Sequence, residues 1–207
     1  MMVAPDGSGR QKIRARVERS LRPMTLPNFI TFVRMAMIPF FVLAVNGHEF
    51  QLAALIFVLA GVTDAMDGAI ARSFHQESLF GAYLDPIADK LLLSTAYISL
   101  TIPQGQATVI PLWLTIMALF RDAMIVIVAL LLFVAAGVRR FRPSVWGKLT
   151  TFMHVATVTL VLIANIRAVP AWLLSVFFYV SFGFVIVSGF NYIYRASKML
   201  EAAEERE

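Results

Sequence analysis

Asp64 and Asp67 lie three residues apart, and Asp85 and Asp89 four apart, in stretches that are otherwise apolar. Residues three or four apart share a helix face. Ionisable groups at membrane depth are costly and are functional-site candidates by default. If consecutive antiparallel helices bring the two pairs together, four carboxylates converge on one cavity. Four anions cannot share a weakly hydrated cavity without a cation. Hard divalent ions take oxygen ligands, and Mg²⁺ characteristically uses a few carboxylates together with substrate phosphates. Two such ions would suit a displacement at phosphorus, clamping the phosphate while it changes partners. The chain has no cysteine, and only His75 in the nearby loop accompanies the acids, which argues against zinc.

Small residues are interleaved with the acids. Gly61, Ala65 and Gly68 fall on one face, Ala71 lies three beyond, and Gly81 precedes Asp85 by one turn. Small side chains permit close approach of another helix or of a ligand. Helix packing is the expectation for Gly61 and Ala65, and ligand approach for Gly68, Ala71 and Gly81. Arg72 can bind a phosphate bidentately or neutralise an aspartate; phosphate binding is the expectation.

The elements that must carry these residues are membrane helices. Of 207 residues, 59% are apolar and 15% charged, and the mean hydropathy is +0.75. A soluble domain is about half apolar and about a quarter charged. A transmembrane helix needs about 20 mostly apolar residues. The sequence predicts six spans, over 28–45, 51–70, 83–102, 111–137, 148–166 and 170–194. The expected fold is therefore an all-α polytopic bundle: a basic N-terminal segment (1–27), a six-helix domain (28–196) and a charged tail (197–207).

Lys and Arg in short loops set orientation. Arg10, Lys12, Arg14, Arg16, Arg19 and Arg22 precede the first span, Arg72 follows the second, and Arg139, Arg140 and Arg142 follow the fourth. With six spans these share one side with the tail, and only Arg167 lies opposite, so both termini and the carboxylates are expected at the cytoplasmic face. The polar, basic start lacks the early apolar core of a cleaved signal peptide. Ile13, Val17 and Leu21 recur every four residues among arginines. That stripe suits a helix lying on an anionic leaflet, or the segment is an orientation signal alone.

Taken together, Asp64-x2-Asp67-Gly68-x2-Ala71-Arg72-x8-Gly81-x3-Asp85-x3-Asp89 resembles the complete signature of the CDP-alcohol phosphatidyltransferases. The six-span layout is similar as well. The resemblance implies that CDP-diacylglycerol is the donor, that an acceptor hydroxyl attacks its phosphorus, and that CMP leaves. It further implies that Asp64, Asp67 and Asp85 hold metal (Mg²⁺ or Mn²⁺, two ions) and that Asp89 both contributes to metal binding and acts as general base. Asp64, Asp67, Gly68, Ala71, Arg72 and Gly81 would form the CDP site, and the resemblance implies a homodimer; the sparse extramembrane sequence and missing cysteines suit a bacterial inner membrane or an organellar one, the bacterial being the expectation.

The acceptor must be read from other polar residues in the spans: Arg34, Arg121 and Lys148. Arg121 can pair with Asp122 or with an aspartate of the cluster; an anionic-acceptor pocket is the expectation. Within that family, Arg121 and the Gly147-Lys148-x-x-Thr151 start of the fifth span resemble the enzymes that use phosphate-bearing acceptors, and the Leu26-Pro27-Asn28-x-x-Thr31-x-x-Arg34 opening resembles phosphatidylglycerophosphate synthases and the related cardiolipin synthases. Glycerol 3-phosphate is the first expectation for the acceptor and phosphatidylglycerol the alternative, since Arg121-Asp122 is closer to the cardiolipin branch. An ion-coupled transporter would also place carboxylates in a membrane. It would usually show repeated halves, and spans four to six hold no matching set of acids, only Asp122.

Overall fold

A computed structural model describes the backbone over 26–74, 79–136 and 144–204, and side chains at 29 and over 31–63, 87–131 and 144–199. Six helices make up the described chain: α1 (Leu26–Asn46), α2 (Phe50–Phe74), α3 (Leu79–Thr101), α4 (Leu112–Ala136), α5 (Val145–Ile166) and α6 (Ala171–Glu204). No strand occurs among the described residues. The segment before residue 26, where a basic interfacial helix was expected, lies outside them.

The distribution of side chains is inverted relative to a soluble protein. Large apolar residues such as Phe40, Leu43, Phe120, Phe152, Tyr179 and Phe190 are exposed, while Thr31, Arg34, Arg121, His154, Thr157, Ser181 and Ser188 are buried. Such a surface is stable against lipid, not water. Leu112–Leu131, Val145–Ile166 and Ala171–Met199 are each long and apolar enough to cross a membrane, with mean hydropathies of 2.2, 1.8 and 2.1. The chain is thus an integral membrane protein. Shorter apolar stretches, Thr31–Asn46 and Phe50–Thr63, lie in α1 and α2.

α1 packs along both α2 and α3, and α6 packs along both α4 and α5; α5 joins the two groups through α2 and α3. Phe41, Phe57, Tyr97, Leu100, Leu114, Val158 and Leu162 form the shared core. Between helices in lipid there is little hydrophobic driving force, so packing and hydrogen bonds hold the bundle. Thr157 and Ser181 hydroxyls meet at 2.8 Å between α5 and α6, and Thr150 Oγ1 donates to the Phe184 carbonyl at 3.1 Å. Thr101 and Thr115 join α3 to α4.

The connections are closed locally. After α1, the Gly47 N–H donates to the Leu43 carbonyl, and His48 takes a left-handed conformation (φ 59°) to start the turn into α2. Between α3 and α4 the chain leaves helix, yet Ile110 is fully buried. Unpaired backbone is costly away from water. Asn165 of α5 removes that cost: its Oδ1 accepts from the Thr108 N–H at 3.0 Å, and its Nδ2 donates to the Thr108 carbonyl at 2.8 Å. The Ile110 N–H reaches the Leu100 carbonyl.

Two helices run past their expected ends. α2 continues through Phe74 and carries the whole first half of the carboxylate pattern as helix. α6 has 34 residues, a length of about 51 Å at about 1.5 Å per residue. It passes through the expected tail boundary at 197 without a break.

Candidate active site

Asp64, Asp67, Gly68, Ala71 and Arg72 lie on α2, and Gly81, Asp85 and Asp89 on α3, with only residues 75–78 between the two helices. Of these eight, the side chain of Asp89 alone belongs to the described residues. The expected convergence of four carboxylates, and the expected ligand contacts of Gly68, Ala71, Arg72 and Gly81, lie outside them. Among the described residues no three acidic or histidine side chains are close enough to hold an ion.

Asp89 stands in the wall of a cavity of about 410 Å³ between α1, α2, α3 and α5. Phe57, Gly61, Leu92 and Thr151 also line it. The cavity is mostly apolar, with Arg34 and Asp89 supplying its charge. Gly61 faces open space, since a Cβ built there meets no atom within 4 Å. Helix packing, the sequence expectation for Gly61, is therefore corrected: the residue leaves room in a cavity.

Arg34 is 1% exposed, and its Nη1 donates to Asp89 Oδ1 at 2.5 Å. The sequence placed Arg34 with the acceptor; the fold joins it to the carboxylate read as the base. A buried guanidinium requires such a partner. The pairing links α1 to α3 and fixes one edge of the Asp89 carboxylate, whose side chain stays 45% exposed.

A second charged site forms where α3, α4, α5 and α6 meet. Arg121 is buried, and its Nη1 donates to Asp122 Oδ1 at 2.7 Å while Nη2 donates to Ser188 Oγ at 2.7 Å. The Tyr192 ring lies 5.9 Å from its Cζ, within cation–π range. Gly147 completes the enclosure: a Cβ there would stand 3.2 Å from Arg121 Nη2. Ser144 caps α5 by accepting from the Gly147 N–H at 3.0 Å. The cap and the glycine together set the start of α5 against the guanidinium. Lys148, next in sequence, is exposed and makes no ion pair among the described residues. The fold thus brings Arg34 together with Asp89, and Gly147 together with Arg121.

Sequence reasoning passed over Lys90, whose ammonium lies 3.0 Å from the same Asp122 oxygen. The available signal was a lysine directly after Asp89, one position round the helix and therefore aimed at another neighbour. It also passed over His154 and Tyr97, whose rings pack at 5.1 Å in the interior.

A family model described as CDP-alcohol phosphatidyltransferase matches residues 24–187. The chain is 31% identical over 188 residues to a CDP-diacylglycerol–glycerol-3-phosphate 3-phosphatidyltransferase of Pseudomonas fluorescens, covering 87% of this chain and 90% of that protein. It is 31% identical over 181 residues to a CMP-forming cardiolipin synthase of Streptomyces coelicolor, covering 81% and 82%. Against the human CMP-forming cardiolipin synthase the identity is 41% over 105 residues, half of this chain but only 34% of that protein. The chain likewise spans about a third of the rat cardiolipin synthase.

Proposed function

The chain belongs to the CDP-alcohol phosphatidyltransferase family, and we propose that it transfers a phosphatidyl group from CDP-diacylglycerol to an acceptor alcohol. Asp89 carries this reading: an aspartate at the last position of the family pattern, exposed in the wall of an apolar cavity and held by a buried arginine. Such a place joins a proton acceptor to room for a lipid.

In the proposed reaction the acceptor oxygen attacks the phosphorus that bears the diacylglycerol. A new P–O bond forms, the bond to the bridging pyrophosphate oxygen breaks, and CMP departs with that oxygen. Asp89 receives the proton of the acceptor hydroxyl. Asp64, Asp67, Asp85 and Asp89 form an oxygen-only donor set of the kind hard divalent ions take, and the exposed Asp89 carboxylate suits it. Bound Mg²⁺ or Mn²⁺ would stabilise negative charge developing on the phosphate oxygens. Gly68, Ala71, Arg72 and Gly81 are assigned to the CDP moiety. Arg34, Arg121 and Lys148 are assigned to the acceptor, and Arg34 also holds the Asp89 carboxylate. Transfer at phosphorus relies chiefly on positioning and electrostatic stabilisation, and both charged sites are built from helices.

Glycerol 3-phosphate is the proposed acceptor, supported by the Pseudomonas relative, which the chain matches nearly end to end. Phosphatidylglycerol is the second reading, favoured by the human and Streptomyces cardiolipin synthases. The remaining proposals are six spans within 28–196, an interfacial segment over 1–27, a tail over 197–207, cytoplasmic termini, a bacterial inner membrane and a homodimer. Purified protein assayed with CDP-diacylglycerol, Mg²⁺ or Mn²⁺ and each acceptor separately tests the reading. CMP release dependent on glycerol 3-phosphate is expected; dependence on phosphatidylglycerol alone would replace the acceptor, and release without any acceptor would indicate hydrolysis.

A further inference from the structure

Lys90 follows Asp89, but one step along α3 turns it about 100° round the helix axis and toward α4. Its Nζ lies 3.0 Å from Asp122 Oδ1, and Arg121 Nη1 lies 2.7 Å from that same oxygen. Two cations therefore share one carboxylate oxygen. Among the described residues neither cation has a second carboxylate within 4 Å, so the trio carries one uncompensated positive charge. An uncompensated charge in a low-dielectric bundle is costly, and an incoming anion offsets that cost.

The three members are not equivalent. Arg121 is enclosed by Ser188 and Tyr192 of α6 and Gly147 of α5, so its position is fixed from two neighbouring helices. Lys90 is 42% exposed. An ammonium has three donors, and Asp122 engages one of them. Lys90 is thus the arm of the trio that an anion can reach, with Arg121 behind it and Asp122 holding the two side by side.

We propose that Lys90 is an acceptor-binding residue: with Arg121, and oriented by Asp122, it holds the phosphate of the acceptor alcohol. The proposal rests on the transferase reading above and adds a residue to its acceptor site. Glycerol 3-phosphate and phosphatidylglycerol both offer a phosphate with a nearby primary hydroxyl. The shared chemistry is the phosphate, and the test separates the two sources.

Full-length protein in detergent is titrated calorimetrically, without donor, against glycerol 3-phosphate and separately against short-chain phosphatidylglycerol. Steady-state kinetics with CDP-diacylglycerol accompany each titration. For the acceptor that binds, Lys90→Gln is expected to weaken affinity and raise KM by about tenfold or more, as for a lost hydrogen bond to a charged group. The KM for CDP-diacylglycerol stays unchanged. Lys90→Arg, which keeps the charge, restores most of the affinity. Asp122→Asn keeps both cations, and is expected to lower the melting temperature while retaining more acceptor affinity than Lys90→Gln.

Unchanged acceptor affinity in folded Lys90→Gln overturns the proposal, as does binding of neither acceptor by the wild type. So does a loss of melting temperature common to Lys90→Gln and Lys90→Arg with acceptor KM unaltered, which would make the trio structural. Absence of CMP release from the wild type with either acceptor overturns the transferase reading instead, and the titration still decides the role of Lys90.

Discussion

Asp89 illustrates how one side chain acquires a role from two different neighbours. Its place in the chain assigns it to a family of carboxylates, while Arg34 fixes the edge it presents. Asp89→Asn keeps shape and removes the proton acceptor. Turnover is expected to fall by about 10²–10⁴-fold, the usual contribution of a general base, with CDP-diacylglycerol binding largely kept. Steady-state turnover and a binding titration on the same preparation check this, and a fully active variant would remove Asp89 from the chemistry. Gly147 acts by having no side chain. A methyl group there would stand 3.2 Å from Arg121 Nη2, and the guanidinium is pinned by Ser188 and Asp122. Gly147→Ala is therefore expected to cost about 1–3 kcal/mol of stability, as overpacking does, and to raise the acceptor KM. A melting curve and KM values for both substrates test it, and an acceptor KM equal to wild type would separate Arg121 from acceptor binding.

At the scale of elements, the cavity beside Asp89 depends on a groove in α2. Gly61 and the adjoining turns leave about 410 Å³ between four helices. Gly61→Leu adds a side chain into open space, so the fold should tolerate it. If the cavity takes the apolar part of the donor, the KM for CDP-diacylglycerol rises while the melting temperature and CMP binding stay near wild type. An unchanged donor KM with the leucine in place would assign that cavity to something other than the donor. The non-helical stretch before α4 has its own device in Asn165, which replaces the missing helical partners of Thr108 from the facing helix.

For the whole molecule, the decisive property is orientation, because the proposed reaction needs the charged sites to face the compartment that supplies CDP-linked substrate. At about 51 Å, α6 exceeds a hydrocarbon core of about 30 Å, so it tilts or projects beyond the bilayer. The basic residues near its end, Arg195 and Lys198, favour projection on the cytoplasmic side. The absence of cysteine permits a direct measurement. In intact cells a membrane-impermeant maleimide should label Ala107→Cys, in the α3–α4 connection, and leave Ser197→Cys, near the end of α6, unlabelled until the cells are opened. The reverse pattern would place the carboxylates on the opposite face and remove the access of CDP-linked substrate on which the reading depends.

Legibility followed the range of the interactions. The helices were readable because each one satisfies its own backbone hydrogen bonds, and three of them are long and apolar enough to cross a membrane. The helix ends at α2 and α6 ran further than hydropathy marked, because polar residues can continue a helix once it leaves the lipid. The carboxylate pattern was readable because its spacings are local and follow the helical period. Which cation meets which acid was not local. Arg34 and Asp89 are 55 residues apart, and Lys90 reaches Asp122 only because α3 lies against α4. Likewise, Gly61 opens a cavity while Gly147 admits a guanidinium, a difference that appears only when the opposing helices are in place. The amino-acid sequence by itself determined the helices and the aspartate spacing that resembles the family pattern. Tertiary packing decided that Arg34 serves Asp89 and that Lys90 stands with Arg121, because charges in a low-dielectric bundle settle on the partners that the helices bring within reach.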